Sequence, residues 1–298
     1  MTTRRELILA AAGTALGVPA LAATAAPILR KVPYSGEAVP VIGLGTSRTF
    51  DVDPASPAFQ PLVGVMEEFF AGGGRLIDSS PMYGRAEGVT GALLGKTRRQ
   101  GAAVVATKVW TDGRDAGIEQ MNMSFARLGV TRMDLMQVHN LKDWRTHLPV
   151  LREWKAAGKI RYLGITTSFA PQYADFAAVM RAEQLDFVQL NYSIGEREAE
   201  KVLLPLARDR GIAVLVNRPF MRAELFRRVA GRTLPGWARD IGCESWGQAM
   251  LKWIVAHPVV TCVIPASAKA ANMRDNMRAG FGELPDEALR ARIAADVG

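Results

Sequence analysis

The chain has 298 residues, 49% of them hydrophobic, 22% charged and 7% aromatic, which excludes disorder along its whole length and supplies enough apolar side chains for a large core. The net charge is +8, but the basic residues are interleaved with acids. The longest local runs are pairs such as Arg98-Arg99 and Arg227-Arg228, so nucleic-acid binding is excluded in favour of a mixed, solvated surface. Cys243 and Cys262 are the only cysteines, with neither CxxC spacing nor a neighbouring histidine cluster, which excludes a zinc site or a dense disulfide framework, and no metal is expected. Two buried free thiols is the plain reading, with a Cys243 to Cys262 bridge the alternative in an exported protein.

At the amino end, Thr3-Arg4-Arg5-Glu6-Leu7-Ile8 sets a paired arginine before an uncharged stretch, residues 7–29, which closes on small residues around Ala23-Thr24-Ala25. This resembles a twin-arginine export signal. Its 23 residues could span a bilayer, but they are rich in alanine and broken by Gly13, Gly17, Pro19 and Pro27, which favours a cleaved leader over a permanent anchor. The resemblance implies a leader at 1–26, export of the folded protein by the twin-arginine machinery, a periplasmic location and no stable membrane span once the leader is cleaved. An uncleaved anchor is the rival. Removing the leader leaves 272 residues, close to the roughly 250 of a (β/α)8 barrel.

Beyond residue 30, short apolar runs alternate with amphipathic helical patterns. The runs are Val41-Ile42-Gly43-Leu44, Leu76-Ile77, Val104-Val105-Ala106, Leu135-Met136-Gln137-Val138, Tyr162-Leu163-Gly164-Ile165, Phe187-Val188-Gln189-Leu190, Ala213-Val214-Leu215-Val216 and Val260-Thr261-Cys262-Val263-Ile264. Between them lie helical faces such as Leu62, Val63, Met66, Phe69 and Phe70, then Ile118, Met121, Phe125 and Leu128, then Val202, Leu203 and Leu206. Strand then helix, eight times over, requires parallel pairing, and eight such units close on themselves. The fold class is α/β, a (β/α)8 TIM barrel forming a single domain over residues 27–298. The 47-residue gap between the starts of the seventh and eighth runs calls for an extra loop or short helix between Met221 and Gly242. A doubly wound fold is disfavoured because Gly43-Leu44-Gly45 is not completed into a dinucleotide turn, position 48 being Arg48.

Polar residues gather just after the runs: Thr46 after the first, Asp78 after the second, Lys108 after the third, His139 and Asn140 after the fourth. Barrel enzymes carry their chemistry at the carboxyl ends of the strands, so these side chains should converge. Gly43-Leu44-Gly45-Thr46, Ile77-Asp78-Ser79-Ser80-Pro81-Met82-Tyr83-Gly84, Thr107-Lys108-Val109-Trp110 and Asp134-Leu135-Met136-Gln137-Val138-His139-Asn140 resemble, in that order, the aldo-keto reductases. The resemblance runs from about residue 38 to residue 290. It implies a barrel that binds an extended nicotinamide cofactor and reduces carbonyls with a tetrad of Asp78, Tyr83, Lys108 and His139.

The chemistry asks for the same groups. Carbonyl reduction delivers a hydride to carbon and a proton to oxygen, so the site needs an acid near the oxygen and a donor that polarises it. Tyr83 fits the acid, Lys108 is expected to lower its pKa by stabilising the phenolate, and Asp78 to keep Lys108 charged and oriented. His139 would hydrogen-bond the carbonyl oxygen and assist proton relay. His147 and His257 lack such a setting and read as structural.

For the cofactor, the resemblance implies contacts from Thr46 and Asn140, from Thr167 in Thr166-Thr167-Ser168 where the family has a Ser-Asn pair, and from Gln189, a glutamine that a core strand would not bury without a partner. Asn217 stands where many members place a tyrosine that stacks on the nicotinamide. Ile264-Pro265-Ala266-Ser267-Ala268-Lys269, with Arg274 and Asn276, resembles the segment around the adenosine end, with Ser267, Lys269 and Arg274 as candidates for a 2′-phosphate. NADP(H) is the preferred cofactor and NAD(H) the second choice. Phe50, Trp110, Trp144, Phe220 and Met221 are expected to line an apolar pocket for a small carbonyl substrate, left open because no long closing tail follows Leu284-Pro285-Asp286-Glu287. Two other classes fit less of the pattern: a cofactor-binding regulatory module with little turnover, and a barrel lyase using Lys108 as a Schiff-base amine.

Overall fold

A computed structural model describes residues 26–298, so the expected leader lies, Ala26 apart, outside the described residues. A short antiparallel hairpin comes first, β1 (Leu29–Lys31) with β2 (Ala38–Pro40). Strands and helices then alternate: β3 (Leu44–Gly45), α1 (Gln60–Ala71), β4 (Leu76–Asp78), α2 (Ala86–Thr97), β5 (Val104–Val109), α3 (Arg114–Leu128), β6 (Met133–Val138) and α4 (Trp144–Ala156). The second half continues with β7 (Ile160–Thr166), α5 (Tyr173–Ala182), β8 (Phe187–Asn191), α6 (Leu203–Asp209), β9 (Ala213–Asn217), α7 (Glu224–Arg228), α8 (Trp246–Val255), β10 (Val260–Val263), α9 (Ala270–Arg278) and α10 (Glu287–Val297).

The eight strands from β3 to β10 pair in parallel in chain order. Parallel bridges from Ile42 to Val263 and from Gly45 to Ala266 join the first strand's segment to the last, giving a nearly closed (β/α)8 barrel in one domain. Each expected run supplies one barrel strand. The hairpin has no counterpart among them, because three-residue strands carry no readable periodicity. Its Val32 and Val39 pack with Leu76, Val104, Leu135, Tyr162 and Phe187, so it plugs the barrel at the end where the strands begin.

Two apolar layers result. The inner one fills the barrel, and the outer one lies between strands and helices, where α1 buries Leu62, Val63, Val65, Met66 and Phe69. On α6 the buried face is Leu203, Leu204 and Ala207, whereas Val202, expected to face the core, is 43% exposed because it precedes the helix. The long connection from β9 to α8 holds α7 and a 3₁₀ turn, Gly236–Arg239, in the expected place. Helix ends follow local chemistry: Ser245 caps α8 by accepting the Gln248 N–H, and Asp286 caps α10 by accepting that of Leu289. Cys243 belongs to the outer layer and Cys262 to the inner one, so both are buried free thiols without a bridge, and burial pushes the Cys243 thiol up to about 11. No helix among the described residues is long and apolar enough to cross a membrane.

Candidate active site

Strand side chains alternate between faces, so every second residue of a barrel strand points inward. The inward rows read Leu76 then Asp78, Val104 and Ala106 then Lys108, Leu135 then Gln137 and His139, Phe187 then Gln189, Ala213 and Leu215 then Asn217. They are apolar at the strand starts and turn polar at the carboxyl ends. This change of chemistry within one row sets a polar floor on an apolar barrel.

Lys108 is fully buried at the centre of that floor. Its Nζ donates to Asp78 Oδ2 at 2.6 Å and to the Ser79 carbonyl at 2.7 Å, and stands 5.2 Å from the centroid of the Tyr83 ring. The second carboxylate oxygen, Asp78 Oδ1, accepts Nε2 of Gln189 at 2.9 Å and Nε2 of Gln137 at 3.3 Å. Burial alone would push the Lys108 ammonium down, but the Asp78 charge and the Tyr83 hydroxyl outweigh it and hold the pKa above the usual lysine value. For Tyr83 the balance differs from the expectation. Its desolvation exceeds the pull of Lys108, and Asp78 adds to it, so the phenol pKa lies above the ordinary tyrosine value rather than below. His139 is buried beside the same ammonium, and the two effects pull its pKa down to about 2, so the imidazole is neutral. Its ring meets Tyr83 edge to face at 5.7 Å, and its Nδ1 lies 3.0 Å from Ser80 Oγ. Thr46 Oγ1 hydrogen-bonds the Asp78 carbonyl and the Ser79 hydroxyl, both at 3.0 Å, which ties the first barrel loop to this floor.

A cavity of about 950 Å³ opens above these groups. Thr46, Asp78, Tyr83, His139, Asn140, Thr167, Gln189, Asn217, Phe220 and Asn276 all border it, and Lys108 lies beneath. Other expected residues stand elsewhere. Phe50 is fully buried in the outer core and cannot line the pocket. Trp144 borders a separate cavity of about 490 Å³ between α4 and α5. Trp110 is 38% exposed and stands beside His139, ring centroids 6.5 Å apart, outside the wall of the main cavity. Met221 packs over Gly195 rather than facing the cavity. At the adenosine segment, the Ser267 hydroxyl closes a turn on Lys269, bonding its carbonyl at 2.9 Å and its N–H at 3.1 Å. Arg274 grips Glu68, its Nε donating at 2.9 Å, so its charge is already matched. None of these three borders the cavity, whereas Asn272, Asp275 and Asn276 do.

The structure adds residues that the motifs did not single out. Gln137 and Ser80 touch the central groups directly, and a period-two reading back from His139 would have found Gln137. Arg48, Arg218 and Arg222 face the cavity from two loops, each from a left-handed backbone with φ of 65°, 50° and 54°. Such conformations are strained for side chains of this kind and gather at ligand sites. Arg218 donates to the Ser168 carbonyl at 3.0 Å and lies 3.7 Å from Glu196, while Arg48 and Arg222 have no carboxylate partner among the described residues. The charges of Arg48 and Arg218 hold the Arg222 guanidinium below its usual pKa. With Arg48 and Arg222 unmatched by any carboxylate among the described residues, this wall of the cavity is electropositive and suits an anion. Buried Oδ1 atoms of Asn140 and Asn217 have no hydrogen-bond partner among the described residues and belong to residues bordering the same space, where a carboxamide N–H would satisfy them. An extended dinucleotide carrying a pyrophosphate and a carboxamide fits this donor set.

A parallel barrel with a lysine, carboxylate, tyrosine and neutral histidine at the carboxyl ends of its strands defines an oxidoreductase acting on carbonyl groups. The chain belongs to the aldo/keto reductase family, whose sequence profile matches residues 41–294. It is 29% identical over 261 residues to the NADH-specific methylglyoxal reductase of Escherichia coli, covering 74% of this chain and 78% of that protein. It is 27% identical over 279 residues to the oxidoreductase YrpG of Bacillus subtilis, covering 76% and 84%. Among solved structures, an aldo-keto reductase from Klebsiella pneumoniae in complex with NADPH matches with a TM-score of 0.75 at 22% identity, covering 91% of this chain and 95% of that one. The holo form of an aldo-keto reductase from Bacillus halodurans matches at 0.73 and 23%, covering 92% and 97%.

Proposed function

We propose that this protein reduces small aldehydes or ketones with a nicotinamide dinucleotide, NADP(H) preferred and NAD(H) second, using Tyr83 as the proton donor. The observation that carries this reading is the buried Asp78 and Lys108 pair beneath Tyr83, beside a histidine held neutral. When bound, the nicotinamide supplies the hydride. Arg48, Arg218 and Arg222 would hold its pyrophosphate, and Asn140, Thr167, Gln189 and Asn217 would surround its carboxamide. Lys269 is the preferred candidate for a 2′-phosphate, since Arg274 is paired with Glu68.

The chain's own groups divide the proton work. Tyr83, whose pKa is raised, keeps its proton through neutral pH and releases it to the carbonyl oxygen as the carbon is reduced. Lys108 stabilises the phenolate left behind, and Asp78 keeps that lysine charged. His139 presents a ring nitrogen to the carbonyl oxygen and orients it. A lyase using Lys108 as an amine nucleophile is disfavoured, because a lysine with a raised pKa and a carboxylate at 2.6 Å stays protonated. A binding-only regulatory module would have no use for the complete set of proton-handling groups.

The name of the Escherichia coli relative makes methylglyoxal the first substrate to try. The test is to titrate the protein with NADPH and with NADH by nicotinamide fluorescence, then to follow cofactor absorbance with methylglyoxal and a panel of aldehydes and ketones. Turnover is the expected result. Binding without turnover of any carbonyl would favour the regulatory module, and binding of neither cofactor would remove the reading.

The proposal extends to the cell. A leader at 1–26 ahead of the barrel at 27–298, with its Arg4-Arg5 pair, is read as directing export through the twin-arginine machinery to the periplasm. Replacing both arginines by lysine should retain the protein in the cytoplasm, and an unchanged location would overturn this part alone.

A further inference from the structure

Ser80 lies fully buried in the turn after β4, two residues beyond Asp78 and three before Tyr83. Its carbonyl accepts the Tyr83 N–H at 3.0 Å. Its hydroxyl oxygen accepts the Met82 N–H at 3.2 Å and stands 3.0 Å from His139 Nδ1. One residue therefore ties the turn that carries Tyr83 to the imidazole across the site.

A neutral imidazole carries a single N–H, and which nitrogen bears it decides what the ring offers to a ligand. If Nδ1 bore the proton it would donate to Ser80. The serine hydroxyl hydrogen would then have no acceptor among the described residues, in a place water does not reach, and Nε2 would turn a lone pair toward the cavity. A lone pair repels a carbonyl oxygen. If Nε2 bears the proton, the Ser80 hydroxyl donates to Nδ1 while its oxygen keeps the Met82 N–H, and both hydrogens at Ser80 are paired. Nε2 then offers an N–H to the cavity, where it has no partner within the protein among the described residues.

We propose that Ser80 is a positioning residue that fixes His139 as the Nε2–H tautomer, so that the imidazole donates to the substrate's carbonyl oxygen. The proposal rests on the carbonyl-reductase reading for the identity of that oxygen, but the tautomer itself does not depend on turnover. Ser80 touches no reacting atom. It acts through His139, and its backbone carbonyl holds the turn of Tyr83 in the same arrangement.

The decisive measurement is nitrogen-15 NMR of the histidine-labelled protein. The chain has three histidines, and His139→Gln identifies the signal of interest by its loss. The expected spectrum has His139 neutral and protonated at Nε2 only; protonation at Nδ1 overturns the proposal without any variant of Ser80. Ser80→Ala should mix the tautomers and lower kcat by about 10- to 100-fold, up to the cost of losing a preorganised donor, with the cofactor Kd unchanged. Ser80→Thr keeps the hydroxyl and should restore both the Nε2–H signature and most of kcat. Retention of the tautomer and of kcat in Ser80→Ala would overturn the assignment as well. Should the wild-type protein show the Nε2–H signature yet reduce no carbonyl, the functional reading fails and the role of Ser80 in setting the tautomer stands.

Discussion

Lys108 Nζ and Asp78 Oδ2 lie 2.6 Å apart, the lysine fully buried and the carboxylate almost so. A buried ion pair is costly to assemble, and removing one partner leaves the other charge stranded. Asp78→Asn should therefore destabilise the protein by about 3 to 5 kcal/mol, within the range for breaking such pairs, and Lys108→Met by a similar amount. The double variant should lose less than the two single losses combined, because no charge is then left alone. Urea unfolding of the four proteins checks this, and simple additivity would mean that the pair is not coupled.

Tyr83→Phe deletes the hydroxyl while keeping the ring that packs edge to face on His139. Loss of a general acid typically costs about 10²- to 10⁴-fold, so kcat for carbonyl reduction should fall by at least 10²-fold while nicotinamide binding is retained. Because burial raises the phenol pKa, reduction by the wild-type enzyme should hold level through neutral pH and decline only in strongly alkaline solution, where Tyr83 has lost the proton it must give. A pH profile of kcat breaking near neutrality would assign the proton to another group.

His139 binds a proton in the unfolded chain near its usual value of 6.5 but in the folded protein only near 2. Between those values the unfolded state holds more protons, so stability rises with pH and is lost on acidification. The sign is that of a depressed base: native imidazole must stay neutral while unfolded imidazole gains charge. Going from pH 7.5 to pH 5 should cost roughly 2 kcal/mol through this residue. Comparing urea midpoints of the wild type and His139→Gln at the two pH values isolates the contribution, and equal pH slopes would show that the native imidazole titrates normally.

The arginines make a prediction about affinity. Arg222 faces the cavity without a carboxylate partner among the described residues, so Arg222→Ala should weaken NADPH and NADH alike, by about tenfold each for one charge-assisted contact. Lys269→Ala should weaken NADPH only. Equal losses for both cofactors in the lysine variant would place the 2′-phosphate elsewhere.

How much of this was legible in the sequence depended on how local the signal was. The eight strands announced themselves because each is a short, mostly apolar run followed by a helical pattern, and Asp78, Lys108 and His139 meet because the carboxyl ends of their strands share one rim. Phe50 misled because an aromatic just beyond a strand end can fold back into the outer core as readily as over the pocket, and nothing local distinguishes the two. The ion pair of Arg274 was hidden for another reason: its partner Glu68 is 206 residues distant in the chain. The raised pKa of Tyr83 depends on how deeply the ring is desolvated, a quantity that no motif encodes. The left-handed backbone at Arg48, Arg218 and Arg222 was equally hidden, since arginine gives no cue for it.

The turn that aims Tyr83 depends on the residue after it. Gly84 has φ of 61°, and a Cβ there would come within 2.4 Å of Asp51 Oδ1, the same oxygen that accepts the Arg85 N–H at 2.9 Å. Gly84→Ala thus meets two separate penalties, about 1 to 2 kcal/mol for a left-handed backbone and a clash with a carboxylate that pins the first barrel loop to this turn. The expected outcome is a lower unfolding midpoint together with a fall in kcat, because any relief of the clash moves Tyr83. Combining it with Asp51→Ala removes the clash but not the backbone strain, so the double variant should recover part of the stability lost in Gly84→Ala. If the double variant is no more stable than Gly84→Ala, the backbone conformation alone sets the requirement for glycine, and the Asp51 contact has no part in holding the turn.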